Sequence, residues 1–227
     1  MTLDGSLWDN DFRRRWERVV EDELRIPEDR RLRLVALGDT HLNCGERLPA
    51  EATAAIAAAE PDALLHTGDI AWLPGLAPLA EIAPIYPVRG NRDILDWRKL
   101  PAMRRFRIGR RSLLLFHGYG SSLADYLRMR RMATRRSPAL RTMNLGFPAE
   151  AASDDFLIYG HTHLARAEVA AGRVIVNPGA LTEKANVYGR GDPKFAVIEL
   201  GADGAGRVEI RARSADWHVT CILSFTD

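Results

Sequence analysis

The chain has 227 residues, 46% of them hydrophobic and 27% charged, the balance of a soluble globular protein with one domain and a core of its own. No apolar run reaches the ~20 residues needed to cross a bilayer. The charged N-terminal stretch MTLDGSLWDNDFRRRWERVV lacks the apolar segment of a secretory leader, so a cytoplasmic location is expected. Cys44 and Cys221 are too few for a disulfide framework. Net charge is +2, but thirteen Lys or Arg stand against one acid between Arg98 and Arg141, which leaves the remainder of the chain at −10. That asymmetry points to a surface facing an anionic partner.

Taken in chain order, residues 1–30 read as an N-terminal amphipathic helical extension. Trp8, Phe12, Trp16, Val19 or Val20, and Leu24 recur at helical spacing with charged residues between them. Residues 31–227 then form a single domain. Its body begins with a strand at Leu32–Leu37, a helix at Pro49–Ala59 and a strand at Ala63–His66. A short helix at Leu73–Ala80 and a strand at Ile85–Arg89 follow, then a hairpin over Phe106–Phe116 that turns at Gly109-Arg110. A basic helical insertion covers about 119–150, with its helix at Ser121–Arg136. The remaining strands lie near Phe156–Tyr159, Ala165–Val169, Val174–Asn177, Phe195–Leu200 and Val208–Arg213. A βαβ start followed by hairpins implies two packed sheets with helices outside.

Five of these apolar runs end in metal-binding residue types. Asp39-Thr40-His41 follows LRLVALG, Gly68-Asp69 follows ALLHT, and Gly90-Asn91-Arg92-Asp93 follows IYPVR. His117-Gly118 follows SLLLF, and Gly160-His161-Thr162-His163 follows FLIY. On extended backbone, residues i and i+2 point to the same side, so Asp39 with His41, and His161 with His163, could each reach one ion. Parallel strands gather sites where their carboxyl ends meet. Each piece alone has an ordinary explanation: a core histidine, an N-cap aspartate, an Asn turn. Their joint occurrence at successive strand ends does not. Two Asp, one Asn and four His are about what two metal ions need, and mixed nitrogen and oxygen ligation suits Mn, Fe, Zn or Ni better than an all-oxygen Mg cage. His66 reads as core or as support for a ligand, and His218 as structural or exposed.

In this order, DTH, GD, GNRD, HG and GHTH resemble the calcineurin-like metallophosphoesterase superfamily. Asn177-Pro178-Gly179-Ala180 resembles the closing NPG motif of its small prokaryotic phosphodiesterase branch. The resemblance covers roughly residues 32–200 and implies a four-layer α/β/β/α sandwich of two mixed sheets. It also implies two divalent ions, with Mn2+ first in expectation and Fe, Zn, Ni or Mg as alternatives. Asp39, His41 and His163 would hold the first ion, Asn91, His117 and His161 the second, and Asp69 would bridge them. A metal-bridging hydroxide would attack phosphorus in line.

Many superfamily members carry His after the GN. Here the residue is Arg92, a poor proton donor to a leaving alkoxide but able to hold phosphoryl oxygens with its fork of N–H groups. It could equally be a surface arginine paired with Asp93. The same GNRD resembles a pyrophosphohydrolase of nucleotide-sugar lipid precursors, whose leaving phosphate needs little acid help. In the basic insertion, Arg128, Arg131 and Arg135 fall on one helical face; Arg128 and Arg131 are candidate substrate contacts. The expected activity is therefore a phosphodiesterase with Asp69, Asn91 and Arg92 at the reaction centre and a small phosphorylated or nucleotide-like substrate. The alternatives are a pyrophosphohydrolase, a nuclease, or an inactive interaction scaffold on this fold like the retromer subunit that has lost ligands. Nucleic acid is the less favoured partner because no stacking motif accompanies the arginines, and a homo-oligomer is compatible with the chain.

Overall fold

The computed structural model describes residues 19–93, 99–118, 151, 153–188 and 192–226. In chain order the strands are β1 (Val19–Glu23), β2 (Leu32–Leu37), β3 (Ala63–His66), β4 (Ile85–Pro87), β5 (Met103–Ile108) and β6 (Arg111–Phe116). They continue as β7 (Phe156–Tyr159), β8 (Arg166–Ala170), β9 (Arg173–Asn177), β10 (Lys194–Leu200), β11 (Gly206–Ala212) and β12 (His218–Phe225). One sheet has the order β1-β5-β6-β7-β9-β8 and the other β12-β11-β10-β2-β3-β4. Both are mixed: β2, β3 and β4 are mutually parallel, as are β6, β7 and β9, while the hairpin partners are antiparallel.

The strands that lead to the metal-type residues are buried on both faces, which explains their unbroken apolar runs. Every residue of ALLH in β3 and of FLIY in β7 is buried. Leu34, Ala36 and Leu65 from one sheet meet Phe106, Leu115, Phe156 and Ile158 from the other in the central core. Outside the second sheet, α1 (Ala50–Ala57) sets Ala52 and Ile56 against Val35, Leu37 and Leu64. A 3-10 turn at Leu73–Leu76 runs into α2 (Ala77–Ala80), and both cover the same face with Leu73, Leu76 and Leu79. The expected sandwich of two mixed sheets is the architecture found; the helix expected at 121–136 lies outside the described residues.

Three expectations change. The helical reading of residues 1–30 fails where it can be tested, because Val19–Glu23 is a strand in parallel register with β5 from Val19↔Met103 to Glu23↔Arg107. Val20 and Leu24 are buried there by alternation rather than by a helical stripe, and the open edge of β5 supplies the hydrogen bonds. Residues 1–18 lie outside the description. Second, the C-terminal segment, where no element was expected, is an edge strand, β12, with exposed Val219 and Ile222. Third, the arginine run is partly structural. Arg104 is buried between the sheets, bound to Asp22 at 2.9 Å and to the Pro87 carbonyl at 3.1 Å. Arg105 grips the buried Asp154 with two N–H groups at 2.9 and 3.1 Å and also reaches Glu21. Acids of β1 and of the loop before β7 thus pair with Arg104 and Arg105, while Arg128, Arg130, Arg131, Arg135, Arg136 and Arg141 lie outside the described residues.

Phe106 is fully buried and meets Tyr86 edge to face with ring centres 5.2 Å apart, which ties the two sheets together beside β4. Replacing it by Ala should remove about 3–5 kcal/mol of stability. Urea unfolding checks this, and a loss below about 1 kcal/mol would show that the inter-sheet core can collapse around the void.

Candidate metal centre

The carboxyl ends of β2, β3, β4, β6 and β7 point to one rim, and the turn after each delivers a polar side chain. Asp39, His41 and His163 form one group and Asp69, His117 and His161 a second; within each, the ligand atoms lie within 4.8 Å of one another. Asp69 joins the two. Its Oδ2 lies 3.3 Å from His41 Nε2, and its Oδ1 lies 3.3 Å from His117 Nε2. Asp39 Oδ1 stands 3.3 Å from His163 Nε2, and Asp39 Oδ2 accepts the His161 backbone N–H at 3.0 Å. Asn91 Oδ1 reaches His117 Nε2 at 3.1 Å. All seven residues read as ligands in the sequence therefore occupy one locus.

The backbone that delivers them is not extended, contrary to the expectation for the two i, i+2 pairs. Asp39, His41, Asp69, His161 and His163 have φ of 49°, 46°, 56°, 68° and 59°. Such left-handed conformations are costly for residues with side chains and persist where the surroundings over-determine them. The glycines beside them permit close packing instead of merely turning the chain. A Cβ on Gly90 would overlap the backbone and carboxylate of Asp69, and one on Gly160 would stand 3.0 Å from Asp39 Oδ2. Thr67 packs so tightly between Gly38 and Gly160 that a Cβ on either would strike its hydroxyl.

Three residues outside the expected ligand set hold this geometry. Asp93 is buried, and its carboxylate accepts backbone N–H groups from Asp69 (3.0 Å), Ile70 (2.8 Å), Ala71 (2.8 Å) and Gly90 (2.7 Å). It is not the surface partner of Arg92. Asn177, at the end of β9, donates to the Gly160 carbonyl and to Thr162 Oγ1, both at 3.0 Å, and accepts from the Gly179 N–H at 2.9 Å. The NPG motif thereby braces the turn carrying His161 and His163. His66 lies buried beneath, with Nδ1 accepting the Gly68 N–H at 3.1 Å. Of these, the sequence allowed a supporting role for His66 and a site-closing one for the NPG motif, and pointed to none for Asp93.

Electrostatics follow from burial. Burial disfavours a charge on His117, but the Asp69 carboxylate outweighs it and raises the imidazole to about 9. Burial, reinforced by His117, lowers His161 to about 4, and burial lowers His66 to about 3. Burial would raise Asp69, yet His117, His41 and the Arg92 N–H hold it well below the usual carboxylate range. That N–H donates to Asp69 Oδ1 at 2.7 Å. The guanidinium of Arg92 is exposed and has no carboxylate partner among the described residues.

The donor set fits divalent metal. His41 Nε2 is buried without a hydrogen-bond partner while facing the Asp69 carboxylate, a costly arrangement unless a cation sits between them. His117 Nδ1 is anchored by the Thr67 carbonyl at 2.7 Å and His163 Nδ1 by the Ala185 carbonyl. Anchoring one ring nitrogen leaves Nε2 as the lone-pair donor, the usual device of metal-binding histidine. Cys44 is exposed and belongs to neither group. Arg128 and Arg131 lie outside the described residues.

Residues 32–203 match the calcineurin-like phosphoesterase superfamily domain. The chain belongs to that family. In sequence it is similar to the "Probable metallophosphoesterase YsnB" of Bacillus subtilis (strain 168), with 28% identity over 123 residues, 54% of this chain. The match spans 61% of that relative's length. In fold it is similar to Vps29 of Entamoeba histolytica, solved in complex with zinc, at 19% identity and a TM-score of 0.61, over 86% of this chain and all of that one. It also resembles the Escherichia coli phosphoesterase YfcE at 20% identity and a TM-score of 0.54, over 85% and 99% of the two chains. Family membership and the two groups of metal-type residues agree with each other.

Two outcomes are expected. Asp93→Asn would place an NH2 against backbone donors and should cost about 1–3 kcal/mol, together with weaker metal binding. Unchanged urea unfolding and unchanged metal affinity would show that Asp93 does not set the loop. A metal must also displace the His117 proton, because the imidazole held at about 9 is protonated at neutral pH. Apparent affinity should therefore fall as pH drops below that value, approaching about tenfold per pH unit from this group alone. Calorimetric titrations at pH 6.5 and 7.5 check the sign.

Proposed function

We propose that this protein is a dinuclear, divalent-metal-dependent phosphodiesterase acting on a small phosphorylated or nucleotide-like substrate. The observation that carries the reading is Asp69, whose two carboxylate oxygens face ligands of separate groups, His41 and His117. Asp39, His41 and His163 would hold one ion and Asn91, His117 and His161 the other, with Mn2+ favoured by the mixed nitrogen and oxygen donors. When bound, such a pair supplies Lewis acidity and activates water near neutral pH.

The chain's own residues define the rest. Asp69 is kept ionised and fixed by the Arg92 N–H at 2.7 Å, so its carboxylate is ready to take a bridging position without reorganising. Asn91 presents a neutral oxygen beside His117 Nε2, limiting the negative charge that an anionic phosphate would meet. The exposed Arg92, next to Asn91 in the chain, would orient phosphoryl oxygens with its guanidinium rather than donate a proton. That last feature supports a second reading, a pyrophosphohydrolase, because a leaving phosphate needs no acid. No helix among the described residues is long and apolar enough to cross a membrane.

Metal analysis followed by a Mn2+-supplemented panel of monoesters, diesters, cyclic nucleotides, nucleotide-sugars and oligonucleotides tests the assignment. Diester hydrolysis that vanishes with chelator and in Asn91→Ala and His117→Ala, both still folded by circular dichroism, is expected. Metal-free protein with no turnover on any substrate would favour the scaffold alternative, and a monoester preference would overturn the subclass. Arg92→Ala should lower kcat/KM by about 10²-fold while metal content stays constant; parental kinetics on the preferred substrate would remove Arg92 from phosphate binding.

A further inference from the structure

We propose that His66, which binds no metal itself, is the positioning residue that sets the spacing between the two halves of the centre; the inference rests on the dinuclear reading above. His66 is fully buried at the end of β3. Its Nδ1 accepts the Gly68 N–H at 3.1 Å, so that nitrogen carries no proton. The neutral ring must then hold its hydrogen on Nε2, which faces Thr40 Oγ1 at 3.4 Å and donates to it. A protonated ring would oppose an N–H to the Gly68 N–H, so the geometry itself keeps His66 uncharged.

The two contacts fall at strategic points. Gly68 precedes Asp69, the carboxylate between the two groups, and Thr40 stands between the ligands Asp39 and His41. Backbone bonds from Asp39 N to Gly68 O and from His41 N to Asp69 O, each 3.0 Å, join the two turns along one side. They leave the Gly68 N–H and the Thr40 hydroxyl unused, and His66 takes both. A third turn joins from the other side: Thr182 Oγ1 donates to the Thr40 carbonyl at 2.8 Å, and Ala185, three residues on, anchors His163. One imidazole thus ties the turn bearing Asp69 to the turn bearing Asp39 and His41, and through Thr40 to the turn that holds His163. Without it, the Gly68 N–H would be buried with no acceptor, and the left-handed turn at Gly68 and Asp69, with φ of 96° and 56°, would relax.

The test uses the full chain loaded with Mn2+ and cleared of excess ion. Metal per chain, the dissociation constant of each ion and the spin coupling between two Mn2+ ions by electron paramagnetic resonance are compared for the parent, His66→Leu and His66→Asn. The parent should bind two coupled ions. His66→Leu should weaken the second ion by about 10–100-fold and replace the coupled spectrum by that of an isolated ion. His66→Asn, whose Oδ1 can still accept from Gly68, should recover the coupled spectrum. If the leucine variant does not fold, His66→Gln, which reaches toward Thr40 but leaves Gly68 without its acceptor, takes its place. Two coupled ions bound at parental affinity in folded His66→Leu or His66→Gln would overturn this role and leave the dinuclear reading intact. A parent that never binds two ions would overturn both.

Discussion

A single carboxylate collects the backbone of two turns. Asp93 draws the N–H groups of Asp69, Ile70 and Ala71 toward that of Gly90, and so presses the turn after β3 against the turn after β4. The part of the site that carries Asp69 and Asn91 depends on this closure. It keeps Asp69 within reach of both ligand groups, and it places the Arg92 N–H against the Asp69 carboxylate. Four donors on one buried carboxylate offset part of the cost of removing that charge from water, and burial still raises the Asp93 carboxyl above its usual range. The interaction is structural in its contacts and functional in its result.

Around this anchor the ligands sit in a backbone conformation that side chains ordinarily avoid. Left-handed φ at five of the seven ligand positions is strain that the close-packed turns impose, and a bound cation is what would make it worthwhile. The same logic covers charge. Buried imidazoles and carboxylates crowd together, so that one histidine is driven toward protonation and another away from it.

Much of this was legible in the residues. The strands β2, β3, β6 and β7 were readable because both faces are buried and their apolar runs are unbroken, and the candidate ligands stood out because each follows such a run. The strand β1 was not, since Val20 and Leu24 fit helical spacing as well as alternation, and only the open edge of β5 decides between them. The strand β12 was also missed: its exposed, irregular face carries no alternation to see. Asp39 and His41 do fall in one group, but not through the extended backbone expected, because a two-residue offset does not reveal whether the backbone is extended or left-handed. The role of Asp93 arises mostly from the backbone donors of Asp69, Ile70 and Ala71, more than twenty residues away, and that pairing leaves no trace in local residue type.

Thr67 between Gly38 and Gly160 has an implication for how this region can change. The two glycines belong to turns on different sheets, yet the same hydroxyl lies against the place where either would carry a Cβ. Their tolerance to substitution is therefore conditional rather than fixed. A methyl group at Gly38 or Gly160 becomes thinkable only after Thr67 has become smaller, and a smaller residue at Thr67 opens a gap beneath both turns at once. Three positions spread over more than a hundred residues of chain form one heritable unit, in which the order of replacement matters as much as its chemistry.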